Sequence, residues 1–252
     1  MREEKHMSGV LYGIGTGPGD PELMTLKAVR TIRECDVIAL PISNAEQLKE
    51  PLLEAEHEPK SEQLLEGCIA FQIASPNVPE IKEKAMLYTP MPMCKDKSVL
   101  KEIHNKSADK IITLLQQGKK IGFLTLGDPA VYSTYLYLHH RVRKSGFQAE
   151  IISGIPSFCA SAARLNIGLA ENKEQLHIIP ASYGIEETLE LSGTKVLMKT
   201  GKKMAQVKEA VKKSGQKLWM VENCGMKNEK IYTDVDEVPD HSSYYSLMIV
   251  KE

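Results

Sequence analysis

The residues best placed to do chemistry in this chain sit on glycine turns. Gly127-Asp128-Pro129 ends an apolar run, Gly122-Phe123-Leu124-Thr125-Leu126, and leads into Ala130-Val131-Tyr132-Ser133-Thr134-Tyr135-Leu136-Tyr137. The run reads as a buried strand. Asp128-Pro129 reads as the start of a helix, with Pro129 at the first helical position and the Asp128 side chain capping free backbone donors. In open α/β sheets such a turn lies outside the carboxyl ends of the strands, where ligands bind. Taken alone, it is also an ordinary strand-to-helix connection.

A second stretch repeats the logic. Val10-Leu11-Tyr12-Gly13-Ile14-Gly15 is followed by Thr16-Gly17-Pro18-Gly19-Asp20-Pro21 and a helix bearing Leu23, Leu26, Val29 and Ile32 on one face. A third glycine turn, Gly154-Ile155-Pro156-Ser157-Phe158, precedes a helix of small residues, Cys159-Ala160-Ser161-Ala162-Ala163-Arg164-Leu165. Two such turns in one parallel sheet can face one ligand.

The elements that position these turns alternate as a parallel sheet requires. Strands are expected at Val10 to Gly15, Cys35 to Leu40, Ala85 to Thr89, Gly122 to Leu126 and Gln148 to Ser153, with a long helix over Lys97 to Gln117. Ala45 to Gly67, rich in Glu, Lys and Gln, reads as an exposed insertion with marginal helix, and Met1 to Ser8 as a frayed leader. Beyond Gly154 the pattern shifts. Leu176 to Ala181, Lys195 to Lys199, Lys217 to Glu222, Lys230 to Thr233 and Tyr245 to Lys251 read as five strands, with helices after Gly184 and Gly201. The last two strands leave no room for a helix between them, which argues for antiparallel pairing. The fold class is therefore α/β with two domains. Residues 8–153 form a mostly parallel five-stranded sheet and residues 154–252 a mixed five-stranded sheet.

Composition bounds the function. The 252 residues carry a formal net charge of -1, so no basic field argues for nucleic acid. Five scattered Cys and seven His show no metal-ligand spacing, and no apolar run is long enough to span a bilayer. A reduced, cytoplasmic, soluble protein without a metal site is expected, with His139-His140 on a helix surface.

The order Gly15-Thr16-Gly17-Pro18-Gly19-Asp20-Pro21, Leu126-Gly127-Asp128-Pro129, Ser153-Gly154-Ile155-Pro156-Ser157, Val196-Leu197-Met198 and Glu222-Asn223-Cys224-Gly225 resembles the tetrapyrrole methylases across nearly the whole chain. The resemblance implies two α/β domains with S-adenosylmethionine bound in the cleft between them, S-adenosylhomocysteine as product, and commonly a homodimer. Within the family, Tyr132 to Tyr137 and the Pro90-Met91-Pro92-Met93 turn with Lys95-Asp96-Lys97 are similar to the branch that methylates C-20 of the corrin precursor. In the branch acting on uroporphyrinogen, an Asp associated with proton handling follows the strand corresponding to Asp36–Pro41. Pro41 occupies that place here, which counts against that activity.

Carried across residue by residue, the resemblance implies cofactor contacts from Pro18, Leu126, Gly127, Asp128, Val131, Ser157, Phe158, Met198, Cys224 and Gly225. The cofactor's amino-acid end needs backbone donors and a carboxylate, which a Gly-Asp turn at a helix start supplies. Its adenine needs an apolar slot, which Val131, Phe158 and Met198 could form, although Val131 and Met198 alone also read as core. The implied reaction moves a methyl from a sulfonium to an enamine-like ring carbon, so positioning outweighs covalent catalysis. Asp128, Tyr132 and Lys199 are the candidates for orienting the ring or assisting proton loss. Arg164, Lys199, Lys202 and Lys203 are candidates for the substrate's carboxylates. The rival readings are a tetrapyrrole methylase acting at another ring position, a relative acting on RNA or protein, an inactive ligand-binding sensor, and a nucleotide- or phosphate-binding module built on Gly13-x-Gly15-x-Gly17 without a Gly-Lys-Ser/Thr ending.

Overall fold

A computed structural model describes residues 9–44, 46–94, 96–180, 184–200 and 203–252. The expected leader, Ala45, Lys95, Ala181, Gly201 and Lys202 lie outside the described residues. The chain divides into two units, one ending at Ile155 and the other beginning at Pro156.

The first unit is built on β1 (Val10–Gly15), β2 (Val37–Ile42), β3 (Leu52–Glu54), β4 (Ala85–Pro90), β5 (Lys120–Thr125) and β6 (Gln148–Ile152), in the order β3-β4-β2-β5-β1-β6. All pairings are parallel except β3 with β4. Period-two alternation sends successive side chains to opposite faces. Ile14, Ile38, Leu40 and Leu124 thus join the core on one face, and Leu11, Val37, Ala39, Ile121 and Phe123 the core on the other. Helices α1 (Leu26–Glu34), α2 (Glu62–Glu66) and α3 (Ile69–Ala74) cover the first face. Helices α4 (Lys97–Gln116) and α5 (Tyr135–Lys144) cover the second.

Three expectations are corrected. The sheet has six strands, because the 45–67 segment is part of the fold: β3 adds to β4, Leu64 and Leu65 of α2 are buried, and Glu54 Oε2 accepts from the Tyr88 hydroxyl (2.7 Å) and the Ser61 N–H (3.2 Å). A three-residue strand and a five-residue helix are too short to show a period. The helix after the first turn is broken. Asp20 caps a 3-10 turn at Pro21–Leu23, Met24 is extended, and Thr25 caps α1 by accepting from the Ala28 N–H at 3.1 Å. This restart rotates the buried face to Ala28, Thr31 and Ile32, and leaves Leu26 90% exposed. Finally, α5 begins at Tyr135, not at Pro129, so residues 128–134 form an extended turn with no helix N-terminus at Asp128.

The second unit contains α6 (Ser157–Leu165), β7 (Leu176–Pro180), α7 (Ile185–Leu189), β8 (Thr194–Met198), α8 (Met204–Ser214), β9 (Lys217–Glu222), β10 (Lys230–Tyr232) and β11 (Ser246–Lys251). Its sheet order is β10-β9-β11-β8-β7, with β7 and β8 parallel and the other neighbours antiparallel. The mixed five-stranded sheet matches expectation. β10 and β11 are antiparallel to β9 on its two sides and do not pair with each other. Leu197, Leu218, Met220, Met248 and Val250 meet Val207 and Val211 of α8 in a core.

Candidate active site

In the first unit the three glycine turns are bonded into one structure. Thr16 N–H and Oγ1 both donate to the Thr125 carbonyl, at 2.9 and 3.1 Å, carrying the β1–β5 pairing one residue past the strand. Gly17 and Gly127 then form an antiparallel bridge. Gly127 N–H donates to the Gly17 carbonyl at 2.8 Å and Gly17 N–H returns a bond to the Gly127 carbonyl at 3.3 Å. Both residues have positive φ, +77° and +70°, a region where a side chain would be strained. Gly15 and Gly154 meet so closely that a Cβ on Gly15 would lie 2.6 Å from the Gly127 oxygen and from the Gly154 nitrogen. Asp128 completes the arrangement: its buried carboxylate accepts from the Ala130 N–H at 2.7 Å and from the Gly154 N–H at 3.0 Å.

Asp128 therefore fastens the central turn to the third one. Two charge-assisted bonds from a single carboxylate hold a loop that has no helix behind it. Around this structure lie buried Pro18 and Gly127, half-buried Leu126 and Val131, and exposed Tyr132. Tyr132 has φ +49°, uncommon for a bulky residue. Ser133 anchors the backbone next to it: Ser133 Oγ lies 2.9 Å from Thr125 Oγ1 and accepts from the Tyr135 N–H at 3.2 Å.

The glycine pattern that suggested phosphate binding has other physical causes. A Cβ on Gly13 would collide with the Tyr135 ring, which is fully buried and donates its hydroxyl to the Glu150 carbonyl at 2.6 Å. Gly13 is thus a packing glycine. His139, expected on the surface, is 9% exposed because its Nδ1 sits 3.1 Å from the Tyr135 hydroxyl. Burial and then His140 hold His139 below the usual imidazole value. Burial also pushes the Cys35 thiol up to about 12 and the Cys68 thiol up to about 11, so neither is a nucleophile at neutral pH.

The second unit gathers its candidates at one end of its sheet. Met198 is the last residue of β8 and pairs with Leu247 of β11 and Pro180 of β7; Glu222, ending β9, pairs with Ser246. Lys199 follows Met198 with φ +61°, and its Nζ lies 5.8 Å from the centroid of the Tyr244 ring. Asn223 and Gly225 also have positive φ, which turns the chain sharply around buried Cys224. Glu229 steadies this turn by accepting from the Gly225 N–H at 2.6 Å, and is itself gripped by Arg164 Nε at 2.9 and 3.1 Å. The Arg164 guanidinium, with help from Gly225, holds the Glu229 carboxyl below the ordinary carboxylate range against the opposing effect of burial. Arg164, proposed from sequence for a substrate carboxylate, is engaged with Glu229, a partner that no sequence pattern pointed to. Ser157 and Phe158 open α6, which packs against β11; Phe158 is buried and Ser157 half-buried.

Among the described residues, no three His, Cys, Asp or Glu side chains gather as metal ligands, and no helix is long and apolar enough to cross a membrane. Residues 10–239 match the family model for tetrapyrrole (corrin/porphyrin) methylases. The chain belongs to that family. It is 30% identical over 244 residues to a probable cobalt-precorrin-2 C(20)-methyltransferase of Methanocaldococcus jannaschii, covering 96% of this chain and 95% of the relative. It is 29% identical to a precorrin-2 C(20)-methyltransferase of a Sinorhizobium species, covering 97% of each. In fold it is similar to the uroporphyrin-III C-methyltransferase of Thermus thermophilus, solved in complex with S-adenosylhomocysteine. That match has a TM-score of 0.64 at 18% identity and covers 97% of this chain and 98% of the other.

Proposed function

We propose that this protein is an S-adenosylmethionine-dependent C-methyltransferase that acts on C-20 of precorrin-2 or its cobalt form, cobalt-factor II, in cobalamin biosynthesis. The observation that carries the reading is the bonded set of glycine turns in a chain whose relatives, matched end to end, are named for that position on the ring. One of those relatives is named for the cobalt-containing substrate and the other for the metal-free one, so both belong in the assay. The family resemblance adds a homodimer as the working form, and the scattered cysteines support a reducing, cytoplasmic setting.

The residues fit the cofactor. The turns offer backbone polar groups beside half-buried Leu126 and Val131, and each Asp128 oxygen, having accepted one N–H, keeps acceptor capacity for an ammonium. Pro18 belongs with these turns of the first unit; in the second unit, taken by itself, Met198, Ser157, Phe158 and the Cys224-Gly225 turn are the contacts that the resemblance implies. When bound, the cofactor supplies an electrophilic sulfonium methyl. Its transfer to an enamine-like C-20 would release a neutral thioether and the C-20 proton. The protein's task is to align and to exclude water, a contribution worth up to about 7 to 11 kcal/mol. In this reading Asp128 acts by positioning the turns, and Tyr132 and Lys199 orient the ring or assist the proton.

Calorimetric titration with S-adenosylhomocysteine, ATP and NAD tests the cofactor. Saturable binding of the first alone is expected, and it should be lost in Gly154→Ala, where the new methyl would strike the Gly127 carbonyl. Binding of ATP or NAD without S-adenosylhomocysteine would overturn the reading.

A further inference from the structure

Two tyrosines at the strand-end edge of the second unit have no role in the account so far. Tyr244 and Tyr245 are 46% and 36% exposed, in a chain with only nine Tyr, four Phe and one Trp. Their rings meet edge to face, 5.4 Å apart at 86°. The backbone beneath them is tied down. Tyr245 carbonyl accepts from the Asn223 N–H at 3.0 Å, and Ser243 N–H donates to Glu222 Oε1 at 2.7 Å. Ser243 Oγ donates to Asn223 Oδ1 at 3.1 Å, and Ser246 Oγ to the Ser243 carbonyl at 2.9 Å. Rings that served only the core would be covered, and a mobile loop would lack four bonds to its neighbours. Here a fixed backbone presents two partly exposed phenol rings at right angles, with the Lys199 ammonium over the Tyr244 ring.

We propose that Tyr244 and Tyr245, with Lys199, form the rim that receives the acidic macrocycle, one phenol ring against the macrocycle's face, the other meeting it edge-on, and a peripheral carboxylate on the lysine. The inference rests on the methyltransferase reading and adds substrate-positioning residues to it. A flat conjugated ring with carboxylates at its edge needs an aromatic surface and a cation set beside it, and this edge supplies both. The rim adjoins Met198 and the Cys224-Gly225 turn, because Asn223 is bonded to Tyr245 and Lys199 follows Met198 directly. The rim thus stands on the same strand-end edge as the cofactor contacts proposed for the second unit. The positive φ of Lys199 and Asn223 fixes where the rim stands.

The test uses the full chain and uroporphyrin, an oxidised octacarboxylate macrocycle, as probe, with binding followed by its fluorescence. S-adenosylhomocysteine affinity is measured in parallel. Tyr244→Ala and Tyr245→Ala should each weaken uroporphyrin binding about five- to tenfold, and Tyr244→Phe should restore it. S-adenosylhomocysteine affinity should stay within twofold in all three. Lys199→Met should flatten the salt dependence of uroporphyrin binding and reduce the preference for eight carboxylates over the four of coproporphyrin. Wild-type binding that survives both alanine variants unchanged would overturn the rim while leaving the methyltransferase reading intact. A wild-type protein that binds neither macrocycle nor transfers methyl would overturn that reading and the rim with it.

Discussion

Removing the Asp128 carboxylate should loosen the first unit and the site at once. In Asp128→Ala the Gly154 N–H, buried against Gly15, loses its 3.0 Å acceptor. The Ala130 N–H, on an exposed residue, loses its 2.7 Å acceptor but can turn to solvent. A hydrogen bond to a charged group contributes about 1.5 to 3 kcal/mol, so the expected loss is about 1.5 to 3 kcal/mol, nearly all from Gly154. For a unit of this size that lowers the melting temperature by about 3 to 12 °C. Asp128→Asn should be milder, since its amide oxygen can keep the Gly154 N–H while its NH2 faces the Ala130 N–H, which turns to solvent. Differential scanning calorimetry reads the loss, and calorimetric titration should show S-adenosylhomocysteine affinity falling at least tenfold as the turns separate. If Asp128→Ala melts within about 2 °C of wild type yet transfers no methyl, the clamp is wrong and Asp128 acts on the reaction itself.

Tyr132→Gly should relieve the positive φ and raise stability by about 1 kcal/mol, while lowering kcat/KM; lower stability with full activity would contradict the view that the strain serves the site. Glu229→Gln should release the Gly225 turn and Arg164, weakening S-adenosylhomocysteine binding about tenfold with little change in global unfolding; an unchanged dissociation constant would show that this turn is not a cofactor contact. His104 is 5% exposed and stacked on Tyr137, and burial, followed by Arg141, holds it below its ordinary 6.5. The unfolded chain therefore takes up the proton first, so stability is complete above about pH 6.5 and falls as pH drops below it toward the folded value. His104→Phe should flatten the melting temperature between pH 7.5 and 5.5, and an unaltered slope would exclude this residue as a source of the dependence.

How much was legible in the sequence depended on the length of each signal. β1, β9 and α4 stand where the pattern placed them to within a residue, because their alternation or helical period runs for five residues or more. β10, of three residues, was also placed, whereas β3 and α2, short and set among Glu, Lys and Gln, were read as an exposed insertion. Asp20-Pro21 does cap a helical turn, but a 3-10 one that stops at Leu23, and Asp128-Pro129 starts no helix. The dipeptide fits any tight turn, and only the tertiary bonds of Asp128 to Gly154 and the extended backbone at Met24 decide which turn forms. The glycines were visible as a cluster, but their reasons differ: Gly13 makes room for a ring, Gly15 and Gly154 for each other, and Gly17 and Gly127 for a left-handed bridge. Glu229 and the Tyr244-Tyr245 pair were missed, since each gains meaning from partners distant in the sequence.

The position of the transferred methyl decides the activity most directly. Precorrin-2 and cobalt-factor II, each incubated with the enzyme and methyl-labelled S-adenosylmethionine, give products whose label can be placed by carbon NMR. The expected result is one new methyl at C-20 in at least one of the two products. Label at another ring carbon, or no transfer to either macrocycle by protein that binds S-adenosylhomocysteine, would contradict it.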